Sequence, residues 1–164
     1  YEFLPMIVPR QPQRFAEVAQ MLEQRGLRYV RRSQLGDAPL PPATQVLLGD
    51  TMGEMFAYYT ACGVAFIGGS LLPLGGQNLI EALSCGKPVL VGPHTFNFAQ
   101  ITDDAVAAGA ARRVVDAAQM MTEASALLQD SVALRRLSSV AVALTVEAQG
   151  ATQKTVDLLV PLIR

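Results

Sequence analysis

The chain reads as an α/β domain on a Rossmann-like, doubly wound parallel sheet, and three observations predict it. Short β-like apolar runs alternate with stretches whose apolar residues recur at helical spacing. Gly and Pro punctuate the joins between them. Half the residues are hydrophobic and only 16% are charged, and 164 residues suffice for one domain with a full core.

Residues 4–8 predict a first strand, closed by Pro9. Phe15, Val18, Ala19 and Leu22 then recur at helical spacing, and Gly26 stops that helix. A short second strand is expected around Tyr29 and Val30, followed by a surface loop over 36–44 that carries Pro39, Pro41 and Pro42. Residues 46–48 form the next strand. Thr51 and Glu54 have the spacing of a capping box, ahead of a helix through Met55, Phe56 and Tyr59.

Residues 64–67 predict a buried strand that ends at Gly68-Gly69-Ser70. A helix over 78–84, a turn over 85–88 and a strand over 89–91 follow. Next come a helix near 100–108 and a strand over 111–115. The remainder is helical, with three apolar stripes: Met120 to Leu128, Leu134 to Leu144, and Val156 to Ile163. Pro161 should kink or fray the last of these. No repeat or low-complexity tract interrupts the pattern, so a single domain over 1–164 is expected.

Composition excludes several classes. A net charge of −1 with scattered basic residues gives no electrostatic basis for nucleic-acid binding. No apolar run approaches the ~20 residues that span a bilayer, and no signal peptide is present, so a soluble domain is expected. Cys62 and Cys85 lack metal-site spacing and are expected as free thiols in a reducing compartment. The chain starts without Met in an apolar run and ends in another, which suggests a piece of a longer protein.

In doubly wound sheets ligands bind beyond the carboxyl ends of the strands. That rule selects the loops 9–12, 49–54, 68–81 and 92–98. In the third, Gly68-Gly69-Ser70 and Gly75-Gly76 bracket a Leu-rich excursion just before a helix. Glycines let backbone approach a phosphate, and a helix N-terminus adds N–H donors. Glu81, near the first turn, can accept from ribose hydroxyls or simply match the helix dipole. Arg10 can meet a phosphate or stand as an ordinary exposed arginine. His94, the sole histidine, can act at a site or be structural. Asn97 can bind a ligand or shape its turn, and Asp50 can do chemistry or cap a helix. Ser70 has no His or Asp near it in sequence, so no nucleophilic triad is indicated. The spacing matches neither the dinucleotide fingerprint nor a P-loop.

Taken together, Leu48-Gly49-Asp50-Thr51-Met52-Gly53-Glu54, Phe66-Ile67-Gly68-Gly69-Ser70, Gly75-Gly76-Gln77-Asn78-Leu79-Ile80-Glu81 and Gly92-Pro93-His94-Thr95-Phe96-Asn97-Phe98 resemble the 3-deoxy-D-manno-octulosonic acid (Kdo) transferases. The opening Ile7-Val8-Pro9-Arg10, with Pro12, Arg14 and Phe15, resembles that family's "PRHPERF" segment. The likeness runs in order over nearly the whole chain.

The resemblance implies the C-terminal half of a two-Rossmann-domain (GT-B) glycosyltransferase. Such enzymes move Kdo from CMP-Kdo to the lipid A precursor of lipopolysaccharide, at the cytoplasmic face of the bacterial inner membrane, without metal or other cofactor. This half would bind CMP-Kdo. The absent N-terminal half would supply the acceptor site, the membrane-facing surface and a catalytic Glu, so no catalytic residue is expected in this chain. By resemblance, Arg10, Gly68, Gly69, Ser70, Gly76, Asn78 and Glu81 are donor-site candidates, with His94 and Asn97 nearby. Gln11 and Gln77 stand where family members commonly carry His, so neither His is carried over. Two alternatives stay open: another GT-B protein, such as a UDP-sugar transferase or epimerase, and a non-catalytic flavodoxin-like module.

Overall fold

A strand buried on both faces must be apolar at every position, not at alternate ones. Val46-Leu47-Leu48 and Val89-Leu90-Val91 are apolar and buried at every position, and each is the central strand of a three-stranded parallel sheet. The computed structural model describes residues 3–162, with backbone alone for 147–155 and 162. Its contacts divide the chain into two compact units, residues 1–58 and 59–164.

In the first unit, β1 (Met6–Ile7) and β2 (Tyr29–Arg31) flank β3 (Val46–Leu48), pairing Met6 with Leu47 and Val30 with Leu47. Helix α1 (Arg14–Gln24) lays Val18, Ala19 and Leu22 against Val46 and Leu48. It ends where Gly26 N–H donates to Glu23 O and Leu27 N–H reaches back to Leu22 O, the Schellman closure. A one-turn helix, α2 (Arg32–Leu35), leads into the proline-bearing loop. Helix α3 (Met55–Ala61) crosses the division between the units.

The second unit runs β4 (Ala65–Phe66), α4 (Ile80–Ser84), β5 (Val89–Val91), α5 (Ala99–Ala108), β6 (Ala111–Arg113), α6 (Ala117–Gln129) and α7 (Ser131–Leu159). Its sheet order is β4-β5-β6. Side chains alternate across a strand, so β5 feeds two clusters. Val89 and Val91 pack with Leu79, Leu83, Ala105 and Ala141, while Leu90 packs with Val114, Leu127 and Leu137. Asp116 caps α6 by accepting from Gln119 N–H, and Gln119 Oε1 accepts from Val115 N–H in return. Asp130 caps α7 by accepting from Val132 and Ala133 N–H.

Two expectations are corrected, and the α2 turn went unpredicted. Residues 78 and 79 lie outside α4, which has only five residues. Thr51 and Glu54 form no capping box: the Thr51 hydroxyl donates to the Glu54 carboxylate itself, and that carboxylate also accepts from Arg32 at 3.0 Å. Engaged sideways, it is unavailable to the backbone. At the other end, α7 gives way at Val160–Leu162 to a 3-10 turn containing Pro161, as a proline lacking its N–H requires. Val156, Leu158, Leu159 and Val160 there are exposed, and Ile163 lies outside the described residues. No helix among the described residues is long and apolar enough to cross a membrane.

Leu83 is fully buried in the second unit's core. Leu83→Ala should cost about 2–5 kcal/mol in denaturant unfolding, whereas exposed Val115→Ala should stay within about 0.5 kcal/mol. Equal effects would contradict this assignment of the core.

Candidate functional site

The loop after β4 and the loop after β5 meet at the carboxyl edge of the second sheet, and Ser70 joins them. Its side chain is fully buried. The hydroxyl donates to Ile67 O and accepts from Gly92 N–H at 2.8 Å. Its carbonyl accepts from His94 N–H at 2.9 Å. The backbones pass so closely that a Cβ on Gly92 would stand 2.2 Å from Ser70 O. Ser70 is therefore a tie between the loops.

The Leu-rich excursion closes on itself and on the same partner loop. Gly76 N–H donates to Gly69 O at 3.1 Å. Asn97 donates its backbone N–H to Gly75 O at 3.1 Å and its side-chain amide to Leu74 O at 3.2 Å, with Gly76 O at 3.5 Å. Gly75 and Gly76 take φ of +87° and +74°, where a side chain is strained, and a Cβ on Gly75 would strike the Asn97 amide at 2.3 Å. Asn97 shapes the turn, the second of the two roles its sequence allowed. Gly68 differs: it is exposed, and a Cβ there would meet nothing within 4 Å.

Asn78 and Glu81 stand at the edge of this loop pair. Asn78 Oδ1 accepts from Ile80 N–H at 2.9 Å, and its amide donates to Glu81 Oε1 at 3.3 Å. The amide thus orients one carboxylate oxygen, while Oε2 has no hydrogen-bond partner among the described residues. With α4 only five residues long, the helix dipole is a smaller contributor than its sequence suggested. Burial pushes the nearby Tyr59 phenol up to about 12, and the Glu81 charge adds to it. Burial likewise raises the Cys62 thiol; Cys62 and Cys85 are both free. Both phenol and thiol are held neutral, so neither is poised as a nucleophile.

His94 lies within the 92–97 loop, half-buried, and its imidazole makes no hydrogen bond to a described residue. Sequence reasoning passed over Arg113, which reaches this loop from β6. Its guanidinium donates to Gly92 O at 3.3 Å and to the Thr95 hydroxyl at 3.1 Å, and pairs with Asp103 at 2.6 Å. The available signal was the Arg112-Arg113 pair in a strand: alternation sends Arg112 to Glu123 on α6, at 2.8 Å, and Arg113 to the other face.

Arg10 belongs to the first unit, exposed just after β1. The acids of the 49–54 loop are committed locally there. Asp50, with 5% of its side chain exposed, accepts from Ser33 N–H at 2.9 Å and Ser33 Oγ at 2.7 Å, with Arg31 at 3.8 Å. It caps a helix, though that helix is α2 rather than its own successor. Thr51, having donated to Glu54, accepts from the Tyr58 phenol at 2.8 Å. Tyr58 in turn fills the space beside Gly49, where a Cβ would lie 2.9 Å from the ring. Among the described residues, no group of three or more potential metal ligands converges.

Comparison with known proteins points one way. The chain is 50% identical over 156 residues to a 3-deoxy-D-manno-octulosonic acid transferase of Bordetella pertussis, matching 95% of this chain and 36% of the relative. It is 39% identical over 160 residues to the enzyme of the same name from Haemophilus influenzae, 96% of this chain and 37% of the relative. The chain thus spans little more than a third of the length of these curated relatives. Among solved structures, it resembles the C-terminal CMP-Kdo binding domain of WaaA from Acinetobacter baumannii. That match has TM-score 0.79 and 36% identity, covering 85% of this chain and 72% of the other. No protein-family profile matches the chain.

The closeness of the two loops sets a steric test. Gly92→Ala should lower stability by about 1–3 kcal/mol, because Ser70 backbone must move. Gly68→Ala, with open space around it, should stay within about 0.5 kcal/mol. Thermal unfolding checks both; a Gly92→Ala chain as stable as wild type would show that the loops are not in contact.

Proposed function

Because the chain belongs to the 3-deoxy-D-manno-octulosonic acid transferase family, we propose that it is the donor-binding part of such an enzyme and holds CMP-Kdo at the paired loops of its second unit. The observation that carries the reading is the loop pair itself. Over 68–80 and 88–102 it has no Asp, Glu, Lys or Arg, is clasped at Ser70 and Asn97, and opens at Gly68. Such loops suit a ligand whose phosphate is met by backbone N–H groups rather than by a cation.

On this reading Gly68, Gly69 and Gly76 give the phosphate access to backbone. The unengaged Glu81 oxygen accepts from a ribose hydroxyl, with Asn78 setting its direction. His94 borders the ligand, while Ser70 and Asn97 act through loop geometry. In the reaction, an acceptor hydroxyl attacks the anomeric carbon of Kdo, the bond to the CMP phosphate oxygen breaks, and CMP departs with the negative charge. Donors aimed at that phosphate stabilise the developing charge. The base that takes the hydroxyl proton belongs to the part of the enzyme outside this chain, as do the lipid A precursor site and contact with the inner membrane's cytoplasmic face. The chain alone then binds nucleotide without turning over.

Calorimetric titration with CMP, UMP and AMP tests this. The chain should bind CMP with a Kd of ~0.1–1 mM, about 4–5.5 kcal/mol, prefer it to UMP, and lose at least several-fold affinity in Glu81→Ala. Equal affinity for UMP would move the chain to a uridine-nucleotide transferase or epimerase. No binding of any nucleotide would favour a non-catalytic module.

A further inference from the structure

The loop over 92–97 is pinned from two sides, and only one of the pins lies in the motifs of the donor loops. On one side Ser70 receives the N–H groups of Gly92 and His94. On the other, Arg113 takes the carbonyl of Gly92 at 3.3 Å and the hydroxyl of Thr95 at 3.1 Å. Both peptide groups of Gly92 are thereby fixed, and His94 is held between two anchored neighbours.

Arg113 is well placed for this. It ends β6, in register with Val91, so its side chain leaves the sheet where the loop begins. Thr95 is 7% exposed, and its hydroxyl needs an internal partner. The pair with Asp103 on α5, at 2.6 Å, has side chains 37% and 66% exposed, so it adds little stability. What it does is aim the guanidinium: one nitrogen stays on α5 while the other spans two acceptors on the loop. A planar fork satisfies all three, and a lysine ammonium at the end of a single flexible stem does not.

We propose that Arg113 is a positioning residue for nucleotide binding, presenting the 92–97 loop and His94 to the ligand through Gly92 O and Thr95 Oγ1. This rests on the functional reading above, in that the ligand is the nucleotide assigned there.

The test compares CMP affinity and Tm of the chain in wild type, Arg113→Ala, Arg113→Lys and Thr95→Val. Arg113→Ala should weaken CMP binding about three- to ten-fold, the loss of hydrogen bonds that orient the loop. Arg113→Lys should lose as much affinity, since it retains the charge but not the fork. Thr95→Val should weaken binding in the same direction, with no additive loss in the Arg113→Ala/Thr95→Val double variant. If Arg113→Ala does not fold, Arg113→Lys and Thr95→Val decide. Wild-type affinity in Arg113→Lys and Thr95→Val, or full rescue of the alanine variant's loss by lysine, overturns the proposal while leaving CMP binding intact. A wild-type chain that binds no CMP overturns the functional reading and this inference together.

Discussion

The second unit is organised around a crossing of two loops with no room for a β-carbon between them. Ser70 and Gly92 approach until a methyl group on the glycine would overlap the serine carbonyl, and the serine hydroxyl fills what space remains by bonding to both strand ends. A polar group this deeply buried is tolerated because its donor and acceptor capacities are both used. From that fixed point the other features follow. His94 is held by its backbone to Ser70. The Gly75-Gly76 turn is held by Asn97 from the loop that Gly92 opens, and Arg113 closes the far side. The site is thus preformed by backbone packing, and its openness at Gly68 is the absence of a side chain in a surround that needs none.

The first unit contrasts with it. Asp50, which in sequence could do chemistry or cap a helix, and Glu54, expected in a capping box, are both spent on structure: one holds the α2 turn through Ser33, and the other ties Arg32 to Thr51. No carboxylate in that loop is left as an unengaged base.

The sequence made much of this legible. The two central strands, β3 and β5, were readable to the residue because burial on both faces permits only apolar side chains. Gly26 marked the end of α1, which closes there with the expected backbone hydrogen bonds. The glycine pairs located the loops of the candidate site. What stayed hidden depends on partners distant in sequence. A Thr-x-x-Glu spacing predicts a capping box at 51–54, yet Arg32, twenty-two residues earlier, draws the carboxylate away. The reciprocal cap occurs instead at Asp116 and Gln119, where no arginine competes. The α2 turn depends on Asp50, and Asn97's role on the carbonyl of Leu74. The reach of Arg113 depends on the register that sets it beside Val91. Local patterns reveal elements; the ties between loops are tertiary.

The most direct measurement is an amide-resolved nuclear magnetic resonance titration of the chain with CMP. Shifts should concentrate in 68–81 and 92–98, with Gly92 and His94 amides already protected from exchange before nucleotide is added. Shifts confined to the surfaces of α6 and α7, or fast exchange of those two amides in the free chain, would contradict this expectation.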